Sequence, residues 1–104
     1  MGEVFLAEDT RLQRKAAIKF LPADMASDSV LRHRFLKEAK AASALNHPNV
    51  CIVYDVGETD DGVPFIAMEM IEGASLDRVL RADPLRMDQI IEIAAQIADA
   101  LDAA

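Results

Sequence analysis

The amino-acid sequence predicts an α+β fold, in which a small antiparallel β-sheet carries one packed helix and two further helices follow. Four short runs rich in β-branched and aromatic residues are separated by polar turns or by a helix. One amphipathic stretch lies between the second run and the third, with apolar residues three and four positions apart. Residues 73–104 show helical spacing and no strand pattern. Two strand pairs with a helix between them favour a single sheet with one helix packed against it.

Two hairpins account for the predicted strands. Residues 2–9 and residues 15–21 flank the polar turn TRLQR, and Pro22 ends the second strand. Residues 50–57 and residues 63–70 flank the turn ETDDG. Each pair is expected to run antiparallel because its connection is short.

Three helices are predicted around these strands. The first covers residues 28–45, after a loop over residues 22–27, with Asp28 or Ser27 as its cap and Pro48 limiting its extension. Ser75 caps a short second helix over residues 75–82. The third covers residues 87–104, and its apolar face consists of Ile90, Ile93, Ala94, Ile97 and Leu101. If that face is exposed, self-association through this helix is expected.

Composition excludes several functional classes. Eleven Lys and Arg against 18 Asp and Glu give a net charge of −7, which disfavours nucleic acids and anionic membranes as partners. No stretch is long and apolar enough to span a bilayer, and no signal peptide pattern is present. The single cysteine, Cys51, favours a reducing, cytoplasmic setting and is interpreted as a buried small hydrophobe. No Cys/His cluster has metal-ligand spacing, so no metal site is expected.

Two charged residues lie within apolar patterns. Glu38 falls between Phe35 and Ala42 on the apolar stripe of the first helix, and Lys19 follows Ile18 in a strand. A charge on a core-facing position needs a partner or a route to water. Lys19 and Glu38 therefore either face each other as an ion pair or lie on solvated edges, and spacing alone leaves both alternatives open.

Four segments of the sequence resemble bacterial serine/threonine protein kinases of the eukaryotic type, in the order and spacing of that family. They are GEVFLAED, AAIKFL, RFLKEAKAASALNHPNV and PFIAMEMIEGASL, and they cover essentially the whole chain. The resemblance implies a kinase N-lobe without its first strand in residues 1–72. It also implies the hinge exit and the first helices of an incomplete C-lobe in residues 73–104. The implied activity is ATP-dependent phosphorylation of protein Ser and Thr side chains.

The resemblance also implies roles for individual residues near the nucleotide. Gly2 matches the last glycine of the loop that covers the phosphates, and Val4 and Ala17 match residues that pack on the adenine. Lys19 matches the lysine that holds the α- and β-phosphates. Glu38 matches its ion-pair partner on the helix, so Lys19 and Glu38 are the candidate catalytic pair.

The segment after the last strand is implied to hold the edge of the adenine. Met68 matches the gatekeeper at the back of the adenine pocket. The Glu69 carbonyl and the backbone amide and carbonyl of Ile71 match the groups that contact the base. His47, in the HPN sequence, has no Ser or carboxylate in a catalytic arrangement and is interpreted as a structural turn residue.

The family's HRD and DFG motifs do not occur in these 104 residues. The aspartate that accepts the substrate proton and the magnesium ligands are therefore expected in the parent protein and not in this chain. The chain alone is expected to bind ATP weakly and to transfer no phosphate. A non-catalytic, kinase-like binding or regulatory module is the alternative, and an unrelated small α+β domain would require the four segments to match by coincidence.

Overall fold

The computed structural model describes residues 4–104, and within this range it confirms the α+β fold. The strands are β1 (Val4–Asp9), β2 (Arg14–Phe20), β3 (Val53–Glu58) and β4 (Pro64–Glu69). The helices are α1 (Ala23–Ala26), α2 (Ser29–Ser43), α3 (Leu76–Ala82) and α4 (Met87–Ala103). Observed bounds agree with the predicted ones within a few residues, except at α1 and at the start of β3.

The four strands form one antiparallel sheet in the order β1-β2-β4-β3. The two predicted hairpins are thus joined side by side through β2 and β4. Residues directly opposite each other on neighbouring strands share a face of the sheet. Two rows of side chains result on one face, formed by Val4, Lys19 and Ile66 and by Leu6, Ala17 and Met68.

The other face of the sheet carries a row of phenylalanines. The rings of Phe5 and Phe20 lie 5.8 Å apart between centroids in an edge-to-face arrangement. The rings of Phe20 and Phe65 lie 6.3 Å apart. Such pairs add about 0.5–1.5 kcal/mol each to the stabilisation from burial. The three phenylalanines therefore lie on the face of β1, β2 and β4 that is opposite to Lys19.

Asp28 is the residue that caps α2. Its Oδ1 accepts hydrogen bonds from the backbone N–H groups of Val30 and Leu31, at 2.9 and 3.3 Å. A cap of this kind stabilises a helix by about 1 kcal/mol. Ahead of it, the predicted loop is wrong in part because Pro22 starts a short helix. The carbonyl of Pro22 accepts from the N–H groups of Met25 and Ala26, both at 2.9 Å.

Helix α2 packs on the sheet through a small core. Ala39 is only 4% exposed, and Leu21 and Pro64 are also buried. Ala16, the remaining buried residue of the described range, lies on the opposite face of the sheet. An ion pair also joins α2 to β3, with Nη2 of Arg32 2.6 Å from Oε1 of Glu58. The orientation of α2 is therefore set by a small residue at its centre and by a charged contact near its N-terminus.

The turn between α2 and β3 delays the start of β3 from the predicted residue 50 to Val53. The backbone N–H of Val50 donates to the carbonyl of His47 at 3.0 Å, which closes the turn. The same turn contacts α4. Nε2 of His47 lies 3.3 Å from Oδ2 of Asp99. The side-chain amide of Asn49 donates to the backbone carbonyl of Gln96 at 3.1 Å. Asp99 thus reaches His47 from the far end of the sequence, and the position of His47 in a hydrogen-bonded turn agrees with its interpretation as a structural turn residue.

Helices α3 and α4 follow the sheet. Ser75 caps α3, as predicted, by accepting from the N–H of Arg78 at 3.3 Å. On α4, Ile90, Ile97 and Leu101 are exposed, and Ile93 is partly covered. Between residues 4 and 104, none of the helices combines the length and the apolar character that crossing a bilayer requires.

Candidate functional site

A cleft of 380 Å³ lies where β1, β2 and the end of β4 meet. We call it the β4 cleft, and its lining is Val4, Leu6, Ala17, Cys51, Met68, Glu69, Met70 and Ile71. Five residues that the sequence assigned to nucleotide binding come together here, namely Val4, Ala17, Met68, Glu69 and Ile71. Of the other two, Gly2 lies outside the described residues, and Lys19 lines a neighbouring cavity.

Strand register explains why these residues meet. Ala17 is opposite Leu6 on one side and opposite Met68 on the other, so all three project from one face of the sheet. The methyl group of Ala17 leaves space between its two longer neighbours. The cleft is therefore a slot with apolar walls, bordered by the backbone of residues 69–71, and this combination suits a flat ligand with a polar edge.

Lys19 lies on the same face, in the neighbouring row of the sheet. It lines a second cavity of 540 Å³, between β2 and α2, which we call the α2 cavity. Glu38, Phe35 and Ile66 also line this cavity. The structure therefore brings the two charges of the candidate catalytic pair to one cavity, next to the β4 cleft.

Glu38 lies on a solvated edge of α2, the second of the two alternatives that spacing left open, although it belongs to the apolar stripe of the helix. Its side chain is 73% exposed and its Oε1 lies 3.7 Å from Nε of Arg34, one turn earlier on α2. The reason is that Ala39 occupies the core position, and consecutive helical residues point about 100° apart. An exposed pair at this spacing contributes only about 0.3–0.5 kcal/mol. The contact with Arg34 is thus easily exchanged for another partner.

Cys51 is a lining residue of the β4 cleft that the sequence did not single out. Its Sγ lies 3.7 Å from the carbonyl oxygen of Glu69 and 3.9 Å from that of Ile52. Burial raises the pKa of the thiol above its ordinary value of 9.0, and the nearby Glu69 carboxylate raises it further. The thiol is therefore neutral near pH 7, as expected for a small hydrophobe, although Cys51 is half-buried and not fully buried as predicted.

We expect Cys51 to react slowly with iodoacetamide near neutral pH, because only the thiolate attacks. The alkylation rate, followed by mass spectrometry, should be well below the rate of the same chain in concentrated urea. Since the pKa is raised in the folded state, the unfolded chain loses its thiol proton first as the pH rises. Stability should therefore decrease as the pH rises through that range. Equal rates for the folded and unfolded chains would contradict this prediction.

Metal ligands are not assembled in this part of the molecule. Among the residues that the structure describes, no group of three or more His, Cys, Asp and Glu side chains could hold a metal ion. The site formed by residues 4–104 is thus a slot with apolar walls, next to which lies one ammonium group.

Comparisons with known proteins show which family this chain resembles. The family model of the protein kinase domain matches residues 1–104. The serine/threonine-protein kinase PknB of Mycobacterium leprae is 44% identical over 106 residues, covering 98% of this chain and 17% of PknB. PrkC of Bacillus subtilis, also a serine/threonine-protein kinase, is 43% identical over 102 residues, covering 97% of this chain and 16% of PrkC.

A solved structure of a kinase domain has the same fold as this chain. The crystal structure of the PknI kinase domain of Mycobacterium tuberculosis superposes with a TM-score of 0.88 and 33% identity. It covers 99% of this chain and 42% of the PknI chain, so the present chain spans less than half of that domain structure and a smaller share of the curated relatives. The family model, the relatives and the fold agree along the whole length, and this chain belongs to the protein kinase domain family.

Proposed function

We propose that this chain is the ATP-binding part of a serine/threonine protein kinase. In the parent protein, the γ-phosphate of ATP would be transferred to Ser or Thr hydroxyls of a protein substrate. One observation carries the proposal, namely the β4 cleft, which gathers Val4, Ala17, Met68, Glu69 and Ile71 beside Lys19. The relatives that match this chain are named serine/threonine-protein kinases, which supports the proposed reaction class.

Each part of the site has a task in this proposal. Val4 and Ala17 form an apolar surface on which the adenine ring lies, and Met68 limits the depth of the slot. Lys19 holds phosphate oxygens, because a fixed ammonium neutralises their charge. Glu38 then orients the ammonium of Lys19. For this, the carboxylate of Glu38 has to leave Arg34 and pair with Lys19.

Phosphoryl transfer itself needs groups beyond this site. Magnesium bound to ATP would neutralise the charge that develops on the phosphates. The described residues provide no metal-binding cluster, and the 104 residues contain no HRD or DFG motif. In our proposal the chain binds and orients ATP, whereas proton transfer and magnesium coordination belong to the rest of a complete kinase domain.

The proposal is tested by titrating the ¹⁵N-labelled chain with ATP and with a pyrimidine nucleotide. We expect weak ATP binding, with chemical-shift changes at the amides of Ala17, Met68 and Ile71, and smaller changes with the pyrimidine. A phosphotransfer assay on the same sample should show no turnover. The proposal fails if ATP leaves these amides unchanged, and its statement about the missing groups fails if the chain phosphorylates a protein.

A non-catalytic, kinase-like module is the second candidate, and one observation favours it. Glu38 is exposed and pairs with Arg34, so its carboxylate is not committed to the nucleotide site. A binding module has no need of an oriented lysine. ATP binding that depends on Lys19 would favour the kinase, and a chain that binds a protein but no nucleotide would favour the module.

The proposal also assigns the two parts of the chain and its setting. Residues 1–72 would form the N-lobe, and residues 73–104 would form the exit from the hinge and the first helices of the C-lobe. The setting we propose is the reducing cytoplasm, which is supported by the single cysteine of the 104 residues.

Self-association through α4 is a further part of the proposal. Ile97 and Leu101 are exposed on one side of this helix, and an apolar patch of this kind drives association. Replacing both residues with Glu is expected to lower the sedimentation coefficient and the binding of a hydrophobic dye. The control is Ala95→Glu, which adds a carboxylate to an exposed position on another side of α4. A monomer with no dye binding in the unmodified chain would refute self-association.

A further inference from the structure

The pairing between Ile52 and Glu69 departs from a regular antiparallel ladder. Val53 is opposite Met68, so Ile52 is opposite Glu69. The N–H of Glu69 donates to the Ile52 carbonyl at 2.8 Å. In a regular ladder, two residues paired in this way exchange a second backbone bond in the reverse direction. Here the N–H of Ile52 donates instead to the side chain of Glu69, with Oε1 at 2.9 Å.

The carboxylate of Glu69 thus takes the place of its own backbone carbonyl in the ladder. Strand β2 does not use that carbonyl either. The N–H of Leu21 donates to the Pro64 carbonyl at 3.0 Å, and hydrogen-bonded pairs alternate along an antiparallel ladder. Counting along the register makes Ala16 and Glu69 a pair without hydrogen bonds. The Glu69 carbonyl is therefore released from both neighbouring segments.

The released carbonyl lies at the β4 cleft. Its oxygen is 3.7 Å from Sγ of Cys51, and both residues line the cleft. A thiol is a weak hydrogen-bond donor, so the oxygen keeps most of its accepting capacity for a stronger donor. An amino group on the edge of a flat ligand is such a donor, whereas a ligand oxygen at the same place would be repelled.

We infer that the Glu69 side chain is a positioning residue, which frees the Glu69 carbonyl to accept a hydrogen bond from the 6-amino group of adenine. The carboxylate touches no ligand atom and acts by holding the N–H of Ile52. This inference rests on the proposed function, because it assigns the selection of the base to the same cleft. It predicts that the preference for a 6-amino purine depends on a side chain that points away from the purine.

The test compares ATP with purine riboside triphosphate, which carries hydrogen in place of the 6-amino group. The unmodified chain should bind ATP more tightly by roughly twofold to tenfold, the range for one hydrogen bond. In Glu69→Ala, the N–H of Ile52 is left without the carboxylate and pairs with the backbone carbonyl. The preference should then approach one, because ATP loses the hydrogen bond from its 6-amino group and binds more weakly.

Two further variants separate positioning from a general structural role. Glu69→Gln should restore the preference, because its amide oxygen accepts the same hydrogen bond. Glu72→Ala, which removes a nearby exposed carboxylate, should leave the preference intact. Equal weakening of both nucleotides in Glu69→Ala would identify a merely structural role and overturn the inference.

The outcomes for the inference and for the proposed function are distinct. If the unmodified chain binds neither nucleotide, the proposed function fails. If Glu69→Ala keeps the preference for ATP, only the inference fails.

If Glu69→Ala does not fold, the inference can still be tested on the unmodified chain. The measurement is the NMR scalar coupling across the hydrogen bond from the N–H of Ile52. A correlation from the Ile52 nitrogen to the side-chain carboxyl carbon of Glu69 supports the inference, and one to its backbone carbonyl carbon overturns it.

Discussion

Replacing Lys19 with Met is expected to remove the part of nucleotide affinity that comes from the phosphates. Lys19 follows Ala17 on the sheet face that forms the β4 cleft, and it lines the α2 cavity next to that cleft. Hydrogen bonds to charged groups contribute about 1.5–3 kcal/mol, so ATP should bind roughly tenfold to a hundredfold more weakly. Adenosine, which has no phosphate, should bind both chains equally.

The comparison of ATP with adenosine makes this expectation specific. In the unmodified chain ATP should bind more tightly than adenosine, and in Lys19→Met the two affinities should converge. Lys15→Met is the matched control, because it removes an exposed lysine from the same strand. Titrations followed by NMR are suited to the weak affinities involved. An undiminished advantage of ATP in Lys19→Met would rule out Lys19 as the phosphate ligand.

Replacing Leu21 with Ala is expected to remove a large share of the folding stability of the chain. Leu21 is 7% exposed and is one of few buried apolar residues in the described range. Truncating a buried Leu to Ala typically costs about 2–5 kcal/mol. Domains of this size have a total stability of about 5–15 kcal/mol, so the loss is a substantial share. Urea denaturation followed by circular dichroism should show a much lower midpoint.

The matched control for this substitution is Leu12→Ala. Leu12 is 63% exposed in the turn between β1 and β2, where truncation leaves no cavity. The free energy of unfolding of Leu12→Ala should differ from that of the unmodified chain by less than about 0.5 kcal/mol. Similar midpoints for Leu21→Ala and Leu12→Ala would show that the small core does not dominate the stability of this chain.

The sequence was sufficient for the elements whose signals are local. Alternating side chains and short polar turns predicted both hairpins, and Asp28 and Ser75 predicted the caps of α2 and α3. Helix α1 was missed because four residues after a proline are too few to show a helical period. The start of β3 was placed too early because Cys51 and Ile52 have strand-like side chains, although the turn at His47 delays the ladder.

The site was predictable where it follows from strand register and not where it depends on orientation. Once β1, β2 and β4 pair, Val4, Ala17, Lys19 and Met68 must share a face. The direction of Glu38 depends on how far α2 is turned about its axis, which Ala39 determines by packing. The contact between Ile52 and Glu69 joins positions far apart in the sequence, and a glutamate at the end of a strand carries no sign of it.

The turn at His47 also determines the tautomer of its imidazole. Nδ1 accepts a hydrogen bond from the N–H of Asn49 at 3.0 Å, so this nitrogen carries no proton. A neutral ring then has its single hydrogen on Nε2, the atom that faces Asp99. Each ring nitrogen therefore makes one of the two contacts. An Asn at position 47 could accept the hydrogen bond from the N–H of Asn49 but would lose the contact with Asp99. A Gln could reach Asp99 but would lose the hydrogen bond from the N–H of Asn49. Only an imidazole joins both contacts at this position, which connects a turn of the sheet to helix α4 through one aromatic ring.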